Sequence, residues 1–281
     1  MNYEVSVRLM TYNHEKYIRQ SIDSIFSQHT NFQVEIVIGD DLSSDKTLEI
    51  VKSYKNTENI KLNILSRDSG DTYSINRKKY GRLYNFYDII QNCKGKYIAL
   101  LDGDDYWTDP LKLQKQVDFL NSHPDHAAVT SNTQYLKDGK LSGNYKEAKE
   151  SWLGRKFPLE ISYADIVFRV VPHVSSFLFR NNVRFPEKYS TYPVGDMPLF
   201  LLLADMGKIR FVELELLELL GGHPDMVGSV QQAQITVDRT HEASVLRHKH
   251  RAIDLVLQTL IFAEEGVEID LREFFKILPV L

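Results

Sequence analysis

Two hydrophobic periods alternate along the first 105 residues, and this alternation restricts the fold more than any other feature of the chain. Val5, Val7 and Leu9 lie in a strand-like run that ends at Met10. Ile18, Ile22, Ile25 and Phe26 then recur at helical spacing, on one face of a helix for which Asn13 is the predicted N-cap. Val34–Ile38 is short and β-branched, as a buried strand is, and Gly39-Asp40-Asp41 stops it. Ser43, Ser44 and Asp45 offer caps for a helix carrying Leu48, Val51 and Tyr54, and Ile60–Leu65 reads as a third strand. Phe86, Ile89, Ile90 and Cys93 form a third helix face with Gly95 as its stop, and Tyr97–Leu101 is a fourth strand. Strands and helices in strict alternation require parallel strands joined by right-handed crossovers. The chain is therefore expected to be α/β, with an open, mostly parallel sheet and helices on both faces.

The pattern changes after residue 105. Asp109-Pro110 reads as an N-cap followed by a proline in the first helical position, with Leu113, Val117 and Leu120 on the inward face behind it. Ala127–Ser131, Ser175–Phe179 and Ile209–Leu217 read as strands, and Asp138-Gly139 as a hairpin turn. Residues 140–160 show no clear period and are predicted to form a mobile loop. A helix carrying Leu199, Phe200, Leu203 and Met206 starts near Asp196 and stops at Gly207, and a long helix is predicted from Glu242 to Glu265. No repeat or linker is evident, so one domain is expected over 1–230, followed by a helical extension over 231–281.

Composition supplies exclusions. Lys and Arg number 34 against 38 Asp and Glu, a net charge of −4. Nucleic acid is not the expected partner, because binding to a phosphate backbone needs clustered cations. Cys93 is the sole cysteine, so neither an intrachain disulfide nor a paired-cysteine metal site can form. The N-terminus lacks the basic and apolar regions of a signal peptide. The longest near-continuous apolar run, Met197–Ala204, falls far short of the ~20 residues that cross a bilayer. A soluble, cytoplasmic protein is expected. The C-terminal helix opens with Arg247-His248-Lys249-His250-Arg251 ahead of an apolar stretch. That pattern suits either peripheral contact with anionic lipid on the inner face of a membrane, or packing on the rest of the chain or at the seam of a homo-oligomer.

Ligands of an open parallel sheet bind beyond the carboxyl ends of its strands. Here those ends read Thr11-Tyr12-Asn13, Asp40-Asp41 and Asp102-Gly103-Asp104-Asp105. Up to five carboxylates would converge on one edge, beside an aromatic ring and an amide. Crowded carboxylates raise each other's pKa or require a cation between them. Mg²⁺ or Mn²⁺ suits oxygen ligands and leaves coordination positions for the phosphates of a substrate. Tyr12 could stack on a base, and Asp40 or Asp41 could accept a hydrogen bond from a pyrimidine imide. The alternative is local: aspartates are common turn and cap residues. Two clusters at equivalent strand ends weigh against it, and Asp109 is read as a cap only.

Three stretches in this order resemble the family 2 glycosyltransferases. They are Val5-Ser6-Val7 through Thr11-Tyr12-Asn13, Ile36-Val37-Ile38-Gly39-Asp40-Asp41 through Thr47, and Leu101-Asp102-Gly103-Asp104-Asp105-Tyr106-Trp107. The resemblance implies a GT-A fold, with a Rossmann-like nucleotide-sugar-binding half over 1–121 and an acceptor half over 122–230. It also implies transfer of a sugar from a nucleoside-diphosphate donor, most simply UDP-linked, to a hydroxyl of a glycan or lipid-linked acceptor, with inversion and a divalent cation, in surface-glycan assembly. Thr11, Tyr12 and Asn13 match the family's nucleoside-contacting stretch, Asp40 its base-binding acid with Asp41 as neighbour, and Asp102, Asp104 and Asp105 its DxD-type motif. Asp104 would lie near the ribose or the metal, and Asp105 would be the strongest metal ligand. Asp196, in Val194-Gly195-Asp196-Met197-Pro198, resembles the downstream catalytic base, a role that can coexist with helix capping. His223, in Gly221-Gly222-His223-Pro224, resembles a late histidine that contacts diphosphate or metal, but it equally suits a loop histidine. His173 reads as structural, Arg77-Lys78-Lys79 and Arg82 as a solvated charge run in a loop, and Asn85 as part of a helix start.

The chain departs from the family at two points in its first strand. Met10 stands where a proline is usual, and Arg8 must pair or reach solvent from within the strand. No Gln-x-x-Arg-Trp motif occurs, which argues for one sugar per encounter. A dinucleotide-dependent oxidoreductase would need G-x-G-x-x-G after the first strand, and a P-loop enzyme its own glycine-rich signature; neither is present. The remaining alternative is a catalytically inactive sugar-nucleotide-binding or scaffold protein of the same fold.

Overall fold

The computed structural model of the chain describes residues 3–137, 140–186, 189 and 195–219. Four parallel strands open it: β1 (Val5–Thr11), β2 (Val34–Asp40), β3 (Ile60–Ile64) and β4 (Tyr97–Asp102). Between them run α1 (Ile18–Phe26), α2 (Thr47–Ser53), α3 (Thr72–Tyr80) and α4 (Leu83–Gln91). There follow β5 (Asp105–Trp107), α5 (Lys112–Ser122), β6 (His126–Lys137), β7 (Lys140–Asn144), α6 (Tyr145–Leu153) and β8 (Glu160–Ile161). Last come α7 (Tyr163–Val167), a single 3₁₀ turn (Val174–Ser176), β9 (Leu178–Arg180), α8 (Asp196–Met206) and β10 (Lys208–Leu219). The sheet runs β3-β2-β1-β4-β9-β6-β10-β5, with β7 on β6 and β8 on β10. The antiparallel members are β5, β7, β8 and β9, so a parallel half adjoins a mixed half.

The alternating periods predict this core. Val5, Val7 and Leu9 of β1 are fully buried, as are Ile18, Ile22 and Ile25 of α1, and they join Ile36, Ile38, Tyr97, Ala99 and Leu101 in one cluster. The polar groups buried around Ser6 and Glu35 bond to one another. Ser6 Oγ donates to Glu35 Oε1 (2.5 Å) and accepts from Gly95 N–H (2.6 Å), while Lys94 N–H donates to Glu35 Oε1 (2.6 Å). A Cβ on Gly95 would lie 2.5 Å from the Ser6 backbone nitrogen. Gly95 therefore serves the close approach of this connection to β1, and not the end of α4, whose C-cap is Asn92.

Several local expectations are corrected. Tyr17, not Asn13, is the N-cap of α1; Asn13 has a positive φ of 54° and its amide is used elsewhere. Arg77-Lys78-Lys79 lie on a helix, α3, capped by the side chain of Asp71, and not in a loop. α5 starts later than the Asp109-Pro110 signal, because Asp109 Oδ1 accepts from Leu111 N–H (2.8 Å) one turn ahead of the helix. Residues 140–160 hold β7 and α6, the latter capped by Asn144, in place of a mobile loop. Residues 174–176 form the 3₁₀ turn, which shortens the strand expected at 175–179. His223, the helix expected over 242–265 and its basic opening lie outside the described residues.

The chain divides into two compact units, Met1–Ile161 with Pro172–Gly221 and Ser162–Val171 with Gly222–Leu281. In the second, α7 is opened by a capping box between Ser162 and Asp165. Among the described residues no helix is long and apolar enough to cross a membrane.

Lys112 in α5 is fully buried. Its Nζ donates to Gln116 Oε1 (2.7 Å) and lies 4.2 Å from the centroid of the Trp107 ring. Burial pulls its pKa down to about 7, with Asp109 opposing. Between pH 7 and the ordinary lysine value the native state then holds one proton fewer than the unfolded chain. Stability contributed at this site rises with pH through that window and is flat below it. Wild type is expected to gain stability relative to Lys112→Met between pH 7 and pH 9.5 in urea titrations. A pH-independent difference would show that Lys112 stays charged.

Candidate active site

Strand register brings the three predicted strand ends together. Thr11 pairs with Asp40 across β1 and β2, and Met10 pairs with Asp102 across β1 and β4. The loops beyond β1 and β2 are stitched to each other: Asn13 N–H donates to Ser43 Oγ (2.8 Å) and Asn13 Oδ1 accepts from Ser44 N–H (2.8 Å). His14 N–H also donates to Thr47 Oγ1 (2.8 Å). Tyr12 projects from this edge with about half its surface open (53%). Gly103 lets the acidic turn lie against the β1 end, since a Cβ there would sit 2.8 Å from both Thr11 Oγ1 and His14 Nδ1. Those two atoms are buried and have no hydrogen-bond partner.

Each aspartate has its own surroundings. Asp40 is buried and caps its turn, accepting from Ser43 N–H (2.8 Å) and Ser43 Oγ (2.5 Å). Asp41 takes a forked ion pair from Arg77 (2.8–2.9 Å) and a hydrogen bond from Tyr73 Oη (2.7 Å). These bonds hold the Arg77 pKa above its ordinary value. Asp102 pairs with the fully buried Arg8, which also donates to Leu101 O (3.2 Å) and stacks on Phe86 at 4.3 Å. β1 is flanked by β2 and β4, so Arg8 pairs inside the protein and its head does not reach solvent. Its Nε and Nη2 have no partner. Asp104 Oδ2 lies 4.0 Å from His14 Nε2. Asp105 is almost wholly buried; it accepts from Ser175 Oγ (2.5 Å) and lies 3.4 Å from His173 Nδ1.

Burial drives the titration of these acids. Asp105 is pushed well above the usual carboxylate range by desolvation, then by the charges of Asp104 and Asp102. Asp104 is raised by desolvation, with His14 opposing and Asp102 adding. His173 is pulled down by burial, against the charges of Asp102, Asp104 and Asp196. The same histidine thus lies within electrostatic reach of the acidic turn and of Asp196. Asp196 itself is the first residue of α8, after the N-cap Gly195, and its Oδ1 accepts from Met197 N–H (2.9 Å).

Residues 6–183 match the family model described as "Glycosyl transferase family 2". The chain belongs to glycosyl transferase family 2. It is 30% identical over 149 residues to the putative teichuronic acid biosynthesis glycosyltransferase TuaG of Bacillus subtilis, covering 52% of this chain and 54% of TuaG. It is 32% identical over 187 residues to the poly(ribitol-phosphate) beta-N-acetylglucosaminyltransferase TarS of Staphylococcus aureus, covering 65% of this chain and 30% of TarS. The chain thus spans a third to about half the length of these curated relatives. Among solved structures, S. aureus TarS 1-349 in complex with UDP-GlcNAc superposes with a TM-score of 0.53 at 20% identity, covering 78% of this chain and 58% of that one. The mannosyltransferase PcManGT from Pyrobaculum calidifontis, in complex with GDP-Man and Mn²⁺, gives 0.52 at 16% identity, covering all of this chain and 80% of that one. The fold is thus that of the GT-A glycosyltransferases, as the motifs implied.

Against the family 2 pattern, the structure brings Thr11, Tyr12, Asn13, Asp40, Asp41, Asp102, Asp104 and Asp105 to one sheet edge. It does not aim their carboxylates at one point: among the described residues no three acids, histidines or cysteines are placed to hold a metal ion. Asn13 joins two loops, and Asn85 is buried, donating to Gly39 O (3.1 Å) and accepting from Arg67. Ser175 escapes sequence reasoning altogether; His173, expected to be structural, caps the 3₁₀ turn through its side chain and lies 3.4 Å from Asp105 Oδ2. The one available signal was a short polar stretch, Pro172-His173-Val174-Ser175-Ser176, leading into a buried strand.

Proposed function

We propose that this family 2 protein transfers a single sugar from a nucleoside-diphosphate donor, UDP-linked, to a hydroxyl of a glycan or lipid-linked acceptor in surface-polysaccharide assembly, with inversion. The observation that carries this reading is the register Thr11–Asp40 and Met10–Asp102, which lines an exposed aromatic ring, an acid pair and an acidic turn along one strand edge. The open ring of Tyr12 offers the base a stacking surface. Asp40 and Asp41, though internally bonded, keep lone pairs for an imide N–H. The printed names of TuaG and TarS, and the nucleotide sugars bound to TarS and PcManGT, support the substrate class.

The donor set suits a hard divalent cation. Asp102 and Asp104 crowd the buried carboxylate of Asp105, whose ionisation desolvation also opposes, and bound positive charge would relieve that crowding. Asp104 and Asp105 would hold the ion, with phosphate oxygens completing a shell that the protein alone does not supply. Bound there, it would neutralise charge on the departing diphosphate. Asp196 takes the proton of the acceptor hydroxyl as that oxygen attacks the anomeric carbon from the face opposite the leaving group.

A non-catalytic sugar-nucleotide binder is the second reading, favoured by the internal pairing of Asp40, Asp41 and Asp102. Thermal-shift screening of UDP, GDP, CDP and dTDP sugars, with and without Mn²⁺, separates the two when release of the nucleoside diphosphate is also followed. UDP sugars should raise the melting temperature most, more so with Mn²⁺, and UDP should accumulate. No shift with any donor sinks the proposal; a shift without UDP release selects the second reading.

A further inference from the structure

We infer that Ser175 is a positioning residue that locks Asp102 and Asp105 into one unit and so sets the affinity of the acidic turn for a divalent cation. The inference rests on the cation reading above and goes beyond it, because it assigns the geometry of the acids to a segment some 70 positions further along the chain.

Ser175 is fully buried, and its hydroxyl serves the acidic turn both as donor and as acceptor. Its Oγ donates to Asp105 Oδ2 (2.5 Å) and accepts from Asp102 N–H (3.1 Å). Its carbonyl accepts from Trp107 Nε1 (3.0 Å), so the far end of β5 is tied to the same residue. One serine therefore grips the last residue of β4 and both ends of β5. The bond to Asp105 fixes which oxygen faces the protein and leaves Oδ1 for another partner.

The turn that carries Ser175 is itself immobilised. Ser176 Oγ donates to His173 O (2.6 Å) and shares a hydrogen bond with Thr130 Oγ1 of β6 (2.6 Å). Gln116 Nε2 of α5 donates to Ser176 O (3.0 Å). His173 Nδ1 accepts from Ser175 N–H (3.4 Å), which caps the turn, and lies 3.4 Å from Asp105 Oδ2. A satisfied buried network of this kind holds a ligand group in one orientation before the ligand arrives, and loss of such an outer partner costs about 10–100-fold in metal affinity.

The test is Mn²⁺ binding by the full chain, followed by electron paramagnetic resonance with UDP at saturation, for wild type, Ser175→Ala, Ser175→Cys and Ser176→Ala. Ser175→Ala should weaken Mn²⁺ binding about 10–100-fold, with the apparent activation constant for Mn²⁺ rising and the rate at saturating Mn²⁺ falling less. Ser175→Cys keeps the size with a weaker donor and should fall between; it carries the test if Ser175→Ala does not fold. Ser176→Ala loses bonds in the same turn but none to the acids, and should lower the melting temperature while leaving Mn²⁺ affinity within about twofold. Wild-type affinity in folded Ser175→Ala or Ser175→Cys, or an equal loss in Ser176→Ala, overturns the inference and leaves the cation reading standing. A wild-type protein that binds UDP sugars but no Mn²⁺ overturns both.

Discussion

Asp105→Ala is expected to abolish Mn²⁺-dependent donor binding and to lower turnover by roughly three orders of magnitude or more. The size follows from charge. A cation at a leaving diphosphate supplies several kcal/mol of stabilisation, and each ~1.4 kcal/mol is a factor of ten in rate. Asp105 is the most deeply buried acid of the turn, so it offers the least-hydrated oxygen to an incoming ion. The same burial makes the carboxylate unfavourable in the empty protein, where desolvation and the charges of Asp104 and Asp102 all oppose its ionisation. Removing it should therefore cost the fold little electrostatically. What is lost is the acceptor for Ser175 Oγ, worth about 1–3 kcal/mol as a buried unsatisfied donor. The variant should be folded, modestly less stable, and inert. Steady-state kinetics and calorimetric titration of UDP with and without Mn²⁺ check this. Near-wild-type turnover would remove Asp105 from the chemistry.

The parallel half of the fold was legible because its strands are short, β-branched and buried on both faces, so that Val5, Val7 and Leu9 or Ile36 and Ile38 carry the signal unaided. The motif positions were legible for the same reason: strand ends follow from strand positions, and register follows from the crossovers. The mixed half was not. β5 is three residues long and is defined by pairing with β10, more than a hundred positions away. α3 is polar, with Arg77, Lys78 and Lys79 in its last turn, and gives no apolar period to read. Within the site, sequence shows which residues lie close but not which way they turn. Asp41 reads as a free base-binding acid until Arg77 and Tyr73 are seen to grip it. Arg8 reads as a misfit in a core strand until Asp102 is found beside it and Phe86 beneath it. Ser175 is invisible because its partners lie about 70 positions away and nothing in a serine marks it as buried.

Asp196→Asn should separate binding from chemistry. Asp196 opens α8 and its Oδ1 caps the adjacent Met197 N–H. Asparagine matches the side chain in size and still presents a carbonyl oxygen to that N–H, so the helix start and the melting temperature should be preserved. What asparagine cannot do is take a proton, and positioned general-base catalysis contributes about 10²–10⁴-fold. If the proposed site holds the donor at the strand ends, its affinity should be unchanged, and the whole loss should fall on kcat. His173 gives a reason to expect this partition: the charges of Asp102, Asp104 and Asp196 all act on it, although Asp196 belongs to α8 and the other two to the acidic turn. A variant that lost donor affinity at unchanged kcat would make Asp196 a binding residue. One that lost stability and activity in parallel would reduce it to a helix cap. An intact fold and intact UDP binding, with transfer gone, is the pattern that a proton acceptor alone produces.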